Sequence, residues 1–167
     1  MVQVAYFDGA DVPHDSRHDE IADPARATAA MSAFLALSPA DRLADSRHVW
    51  AYYRDYYEIV GGQDWLDAKM GVPAGPEDIW PHVHPQELYL AIGPEGDPAS
   101  YVIVSCACDW EEEHGLALVW RDGKRLTKAG ADDGWPTNGG AYDPSGYSSV
   151  VYDSSSPEHL TRLDEAR

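Results

Sequence analysis

Residues 101–108, Tyr-Val-Ile-Val-Ser-Cys-Ala-Cys, are apolar on both sets of alternating positions and break abruptly into Asp109-Trp110-Glu111-Glu112-Glu113-His114-Gly115. Successive side chains of an extended segment point to opposite faces, so a strand apolar on both sets belongs in the middle of a sheet. Helices must then cover at least one face. Neighbouring carboxylates repel one another, and packing gives no reason to set them at the end of a buried strand. The stretch from Cys108 to Gly115 is therefore either a site or a strongly solvated turn.

Period-two patterning around this strand predicts further strands over 87–92 and 116–121, with the central one running over 101–110. The strand over 116–121 meets Asp122-Gly123, a preferred pair for a two-residue hairpin turn, so 124–129 returns antiparallel. Helix signals come earlier. Asp23 is placed to cap a helix that begins at Pro24, and Ala27, Ala30, Met31, Phe34 and Leu35 follow at helical spacing. Ser38, with Asp41 three residues on, opens a longer helix to about Val60. Its apolar stripe reads Leu43, Trp50, Tyr53, Tyr57 and Val60, widened by Val49, Tyr52, Tyr56 and Ile59. Gly61-Gly62 ends it, and a short helix is expected over 63–69. These aromatics fit a packing helix or a stacking platform.

The result is an α+β fold, an N-terminal helical layer packed on a small, mainly antiparallel sheet. A single domain is expected over 1–167, with a short strand over 2–7, a loop-rich segment 8–22 and a loop-rich tail from about 130. Only 148–152 offers a further strand there.

With 12 Lys and Arg against 29 Asp and Glu, the formal charge of −17 repels phosphate backbones and anionic lipid, which argues against nucleic acid or a membrane as partner. It suits solubility, adaptation to salt, or a basic protein partner. Cys106 and Cys108 share one face of a strand, where geometry disfavours a disulfide, and are expected as reduced core residues. The opening residues carry no signal-peptide pattern and no run reaches the length of a membrane span, so cytoplasmic residence is the expectation.

His82 and His84 lie at i, i+2, and in an extended backbone both imidazoles reach one side. Glu112 and His114 could complete a tetrahedral zinc or manganese shell for hydrolysis, although the firm zinc spacings are absent. His14 and His18, with Asp15 and Asp19, read as solvated polar residues. Asp109, Glu111 and Glu113 are hard oxygen donors suited to calcium, without the spacing of an EF-hand. Paired glutamates for glycoside cleavage must flank a sugar from opposite sides, which one loop does not provide. The cysteines are inert in an apolar strand, and neither a G-x-S-x-G elbow nor a phosphate loop occurs. A structural reading rivals all of these: Trp110 buries beside Trp120, Gly115 supplies a positive φ, His114 bonds backbone groups, and the glutamates face water.

Trp110, Glu112, Glu113, His114, Gly115 and Leu116 resemble the W-x-E-E-H-G-L core of an uncharacterised bacterial domain family, with Glu111 at the variable position. The resemblance extends back through the Trp- and Tyr-rich helix and implies an α+β fold with helices ahead of the sheet. Families of this kind look like those found beside polymorphic toxin genes, where small acidic proteins serve as immunity factors. No catalytic residues come with the resemblance.

The leading expectation is a non-enzymatic acidic binding protein without a cofactor, an immunity protein that neutralises a basic toxin domain. Asp109, Trp110, Glu111, Glu112, Glu113 and His114 would form its contact surface. The alternative is a metal-dependent hydrolase using His82, His84, Glu112 and His114 with zinc, manganese or calcium.

Overall fold

A computed structural model describes residues 1–62, 64–140 and 149–163. Its centre is a four-stranded antiparallel meander, β3 (Val83–Ile92), β4 (Ser100–Cys108), β5 (Leu116–Arg121) and β6 (Arg125–Gly130), in the spatial order of the chain. Before it come the hairpin of β1 (Val2–Val4) and β2 (Ala10–Val12) and the helices α1 (Pro24–Leu35), α2 (Pro39–Ile59) and α3 (Asp64–Met70). The tail adds a hairpin of β7 (Val150–Tyr152) and β8 (Thr161–Arg162). This is the expected α+β architecture, with the helices mostly N-terminal. Among the described residues no helix is long and apolar enough to cross a membrane.

Local chemistry sets the element ends. The Asp23 carboxylate accepts from the amides of Ala25 and Arg26 at 2.9 and 3.2 Å, satisfying donors that a helix start leaves open. Ser38 and Asp41 exchange side-chain and backbone bonds in a reciprocal capping box. Gly61 and Gly62 follow α2 with φ of 78° and 61°, which releases the chain from the helix. In the β5–β6 turn, Asp122 and Gly123 take φ of 49° and 68°, the primed conformation that matches strand twist. A Cβ on Gly123 would run into the Ala30 carbonyl of α1, so this turn also fixes how closely the helix approaches.

β4 is apolar on both faces because each face is covered. Val102, Val104, Cys106 and Cys108 join Leu118 and Trp120 of β5 in the large core beneath the helices. Tyr101 and Ile103 join Ala117, Val119 and Ala91 in a smaller cluster on the opposite face. Trp120 is fully buried, with Tyr6 and Phe34 against its ring at centroid distances of 5.0 and 4.8 Å. Both cysteines are buried and free.

Several expectations need correction. The strand expected over 2–7 stops at Val4. Ala5–Phe7 then form a 3₁₀ turn that buries Tyr6 and Phe7, and Asp8 and Gly9 at φ of 55° and 80° reverse the chain into β2. Residues beyond β2 flank the edge of β3, where Leu88 donates to the Pro13 carbonyl at 2.8 Å and Glu20 donates to the Leu90 carbonyl at 2.8 Å. That pairing protects an otherwise open sheet edge. Of the short helix expected over 63–69, Gln63 lies outside the described residues, as does Ser148 of the strand expected over 148–152.

The expected stripe of α2 is displaced. Leu43 and Ile59 are exposed, while Asp45, Ser46, His48 and Asp55 are buried beside Val49, Tyr52 and Tyr53. Distant side chains satisfy the buried polar groups: Tyr6 Oη donates to Asp45 at 3.2 Å, Trp80 Nε1 to Ser46 at 2.7 Å, and Tyr152 Oη to Asp55 at 2.6 Å. His48 Nδ1 lies 2.7 Å from Thr161 Oγ1. Burial of such groups is tolerated only where partners are supplied.

Candidate functional site

The acidic loop after β4 divides its residues between core and solvent. Trp110 is fully buried, edge-on to Tyr52 and Tyr53 of α2 at 5.8 and 6.0 Å. Glu111 follows it inward and is 5% exposed. Its carboxylate accepts from the amides of Glu113 at 2.9 Å and His114 at 2.7 Å, so one buried charge closes the turn. The Cys108 thiol donates to the Glu111 carbonyl at 3.2 Å, and Tyr52 Oη donates to the Gly115 carbonyl at 3.1 Å. Gly115 has φ of 67°, and a Cβ there would sit 2.6 Å from the Cys106 carbonyl oxygen.

Trp110 and Glu111 are therefore corrections to the expected contact surface: in the folded chain neither presents its side chain outward. Glu112, Glu113 and His114 do. Glu112 pairs with Lys69 of α3, whose ammonium is held above its ordinary pKa chiefly by that bond. Trp110 is buried, but not beside Trp120, where the structural reading set it. Its ring neighbours are the α2 tyrosines, and among the described residues neither the Trp110 nor the Trp120 indole has a hydrogen-bond acceptor.

The two histidines converge on the loop at a residue different from the ones expected. His82 Nδ1 lies 3.0 Å from one carboxylate oxygen of Asp109 and His84 Nε2 lies 2.9 Å from the other. Burial raises the Asp109 pKa, but the bonds from both imidazoles outweigh it and hold the carboxyl below its ordinary value. The set His82, His84, Glu112 and His114 is not assembled. Glu112 is taken by Lys69, and His114 Nδ1 lies 3.5 Å from Glu111. Among the described residues, the groups with ligand atoms within 4.8 Å of one another are Asp15, His18 and Glu87, and Glu111, Glu113 and His114. In the second group both Glu111 oxygens already accept loop amides. Burial also pushes the Cys108 thiol up to about 12, which leaves it protonated and a poor nucleophile.

The loop borders a larger surface that the sequence did not mark. Ser105 and Ala107 alternate with the core-facing residues of β4 and so lie on the helix-free face, where with the acidic loop and Asp132 they line a cavity of about 350 Å³. A second cavity, of about 770 Å³, lies along Tyr89 and Ala91 of β3 and is bounded by Trp135, Glu20 and Glu95. The segment from Asp132 to Trp135 borders both cavities and is tied down by two side chains. Ser105 Oγ donates to Asp132 at 2.6 Å. Lys128, only 2% exposed, pairs with Asp133 and donates to the Trp135 carbonyl at 2.9 Å. Ser105, a polar residue inside an otherwise apolar strand, was the available signal, whereas Lys128 shares its strand with Arg125 and Thr127 and does not stand out.

Elsewhere, a cavity of about 420 Å³ near the β5–β6 turn contains Arg121 and Arg125. Arg121 donates to Asp97 at 2.7 Å and Arg125 to the Leu163 carbonyl at 2.6 Å, so both cations are engaged within the chain.

A family model described as a domain of unknown function, DUF6985, matches residues 1–136. No curated protein and no solved structure matches the chain.

Proposed function

We propose that this chain, which belongs to the family of domains of unknown function DUF6985, is a non-enzymatic binding protein that engages a basic protein partner through the helix-free face of its sheet. An immunity factor that occludes a basic toxin domain is the specific form of this reading. The observation that carries it is the inward turn of Glu111, which closes the loop and leaves Glu112 and Glu113 outward on a braced scaffold. Asp109 and Asp132 extend the same surface around the smaller cavity, where carboxylates outnumber the one lysine, Lys69 of α3. In a chain of formal charge −17, such a face accelerates encounter with a positive partner and rejects anionic ones.

The test is affinity capture from an extract of the native host, with the wild-type chain and a Glu112→Lys/Glu113→Lys variant as baits at low and high salt. A basic protein retained by the wild type at low salt, released at high salt and absent from the variant supports the reading. Equal capture by both baits, or capture of no basic protein, overturns it. Stoichiometric zinc, manganese or calcium in protein purified without chelators would also overturn it, in favour of a metal site.

A further inference from the structure

The larger cavity on the helix-free face combines an exposed aromatic ring with unneutralised carboxylates. Trp135 is 48% exposed and Ile92 44% exposed, although burial of such side chains stabilises a fold. The Trp135 ring is nevertheless held by its backbone: its amide donates to Asp133 at 3.0 Å and its carbonyl accepts from the buried Lys128 at 2.9 Å. Glu20 and Glu95 stand on the same cavity, and among the described residues neither carboxylate has an ion-pair partner. Tyr89 lines the floor beside His18, ring centroids 6.0 Å apart and nearly perpendicular.

These features select the ligand's chemistry. An anion is repelled by Glu20 and Glu95, and a neutral apolar group would strip water from both carboxylates without replacing it. A cation is attracted by the ring face and by the carboxylates together. Guanidinium fits better than ammonium, because it is planar, weakly hydrated and able to stack while its edge donates to a carboxylate. We propose that this cavity receives an arginine side chain of the basic partner, stacked on Trp135 and paired with Glu20 and Glu95. The assignment rests on the binding function proposed above and names the anchor within it. At about 770 Å³ the cavity has room for the side chain and the backbone that carries it, within the range usual for ligand sites.

Calorimetric titration of the full chain tests this with three acetylated, amidated pentapeptides, Gly-Gly-X-Gly-Gly, where X is arginine, lysine or citrulline. Citrulline keeps the shape of arginine without its charge. The arginine peptide should bind about tenfold more tightly than the citrulline peptide and more tightly than the lysine peptide. Trp135→Ala should weaken it about fivefold, and Glu20→Gln/Glu95→Gln should abolish its advantage over citrulline. All three positions are surface-exposed, so unchanged melting temperatures should accompany these losses. Equal binding of arginine and citrulline peptides, no binding of either, or full affinity in Trp135→Ala overturns the proposal. Equal binding of lysine overturns the choice of guanidinium. If the peptides fail while salt-sensitive capture through Glu112 and Glu113 persists, the arginine anchor falls and the binding function stands. Loss of capture with peptide binding retained gives the reverse.

Discussion

Replacing Glu111 by alanine tests whether an inward carboxylate holds the acidic loop together. Glu111 accepts from the amides of Glu113 and His114 at 2.9 and 2.7 Å with its side chain 7% exposed. Each hydrogen bond to a charged group contributes about 1.5–3 kcal/mol net, so two give roughly 3–6 kcal/mol. Two effects reduce that figure. The freed amides sit on a loop that water can reach, and removing the carboxylate relieves both its own desolvation and its repulsion by Glu112 and Glu113. The expected loss is about 2–3 kcal/mol, or roughly 5–10 °C in melting temperature for a chain of this size. Glu111→Gln keeps one acceptor oxygen and should lose about 1 kcal/mol. Glu112→Ala removes only an exposed pair with Lys69 and should stay within about 0.5 kcal/mol of wild type. Urea denaturation of the four proteins, with unchanged slope, reads these differences directly. If Glu111→Ala proves no more destabilising than Glu112→Ala, the loop is not organised by its buried charge, and the argument for a braced surface fails with it.

Gly115→Ala should cost about 2 kcal/mol or more, from the left-handed φ and the collision with the Cys106 carbonyl; a melting temperature equal to wild type would refute this. Trp110→Ala should lose about 3–5 kcal/mol through the cavity it leaves. Trp110→Phe removes an indole N–H that has no acceptor among the described residues and should cost well under half as much by the same denaturation measurement; equal losses would deny the cavity argument. Asp109→Asn should alter the acid limb of stability. The Asp109 carboxyl lies below its ordinary 3.8 in the folded chain, so its contribution is complete above that value and vanishes as pH falls through the lower folded value. The stability difference between wild type and Asp109→Asn should therefore be constant above about pH 4 and shrink as pH falls below the ordinary 3.8, and a difference that stays constant there would contradict the His82–Asp109–His84 geometry.

Short-range signals in the amino-acid sequence determined the starts of the two long helices and the strands of the main sheet. Asp23, Ser38 and Asp41 cap their helices as their spacing predicts, Asp122-Gly123 forms the hairpin turn, and the two-sided apolar run of β4 occupies the interior of the sheet. Each of these depends on atoms within a few residues, or on a period that one strand or helix carries by itself. The site was legible only as a place. The acidic loop stood out, but nothing local distinguishes Glu111, which turns inward to bind amides, from Glu112 and Glu113, which face out.

Tertiary structure decided the rest, because the deciding partners are far apart in the chain. The face that α2 buries holds Asp45, Ser46, His48 and Asp55, and Tyr6, Trp80, Thr161 and Tyr152 satisfy them from other elements. A hydropathy stripe weighs those positions as exposed, since it cannot include an acceptor or donor that arrives from elsewhere. His82 and His84 reach Asp109 because β3 pairs with β4 in a particular register, Val83 opposite Cys108. On the helix-free face, Ser105 and Lys128 hold residues 132–135 in place, and that segment walls the two cavities. Periodicity specifies which side of an element is apolar. The satisfaction of buried polar groups, which requires two elements to meet, determined which side faces inward and what the opposite side of the sheet presents to a partner.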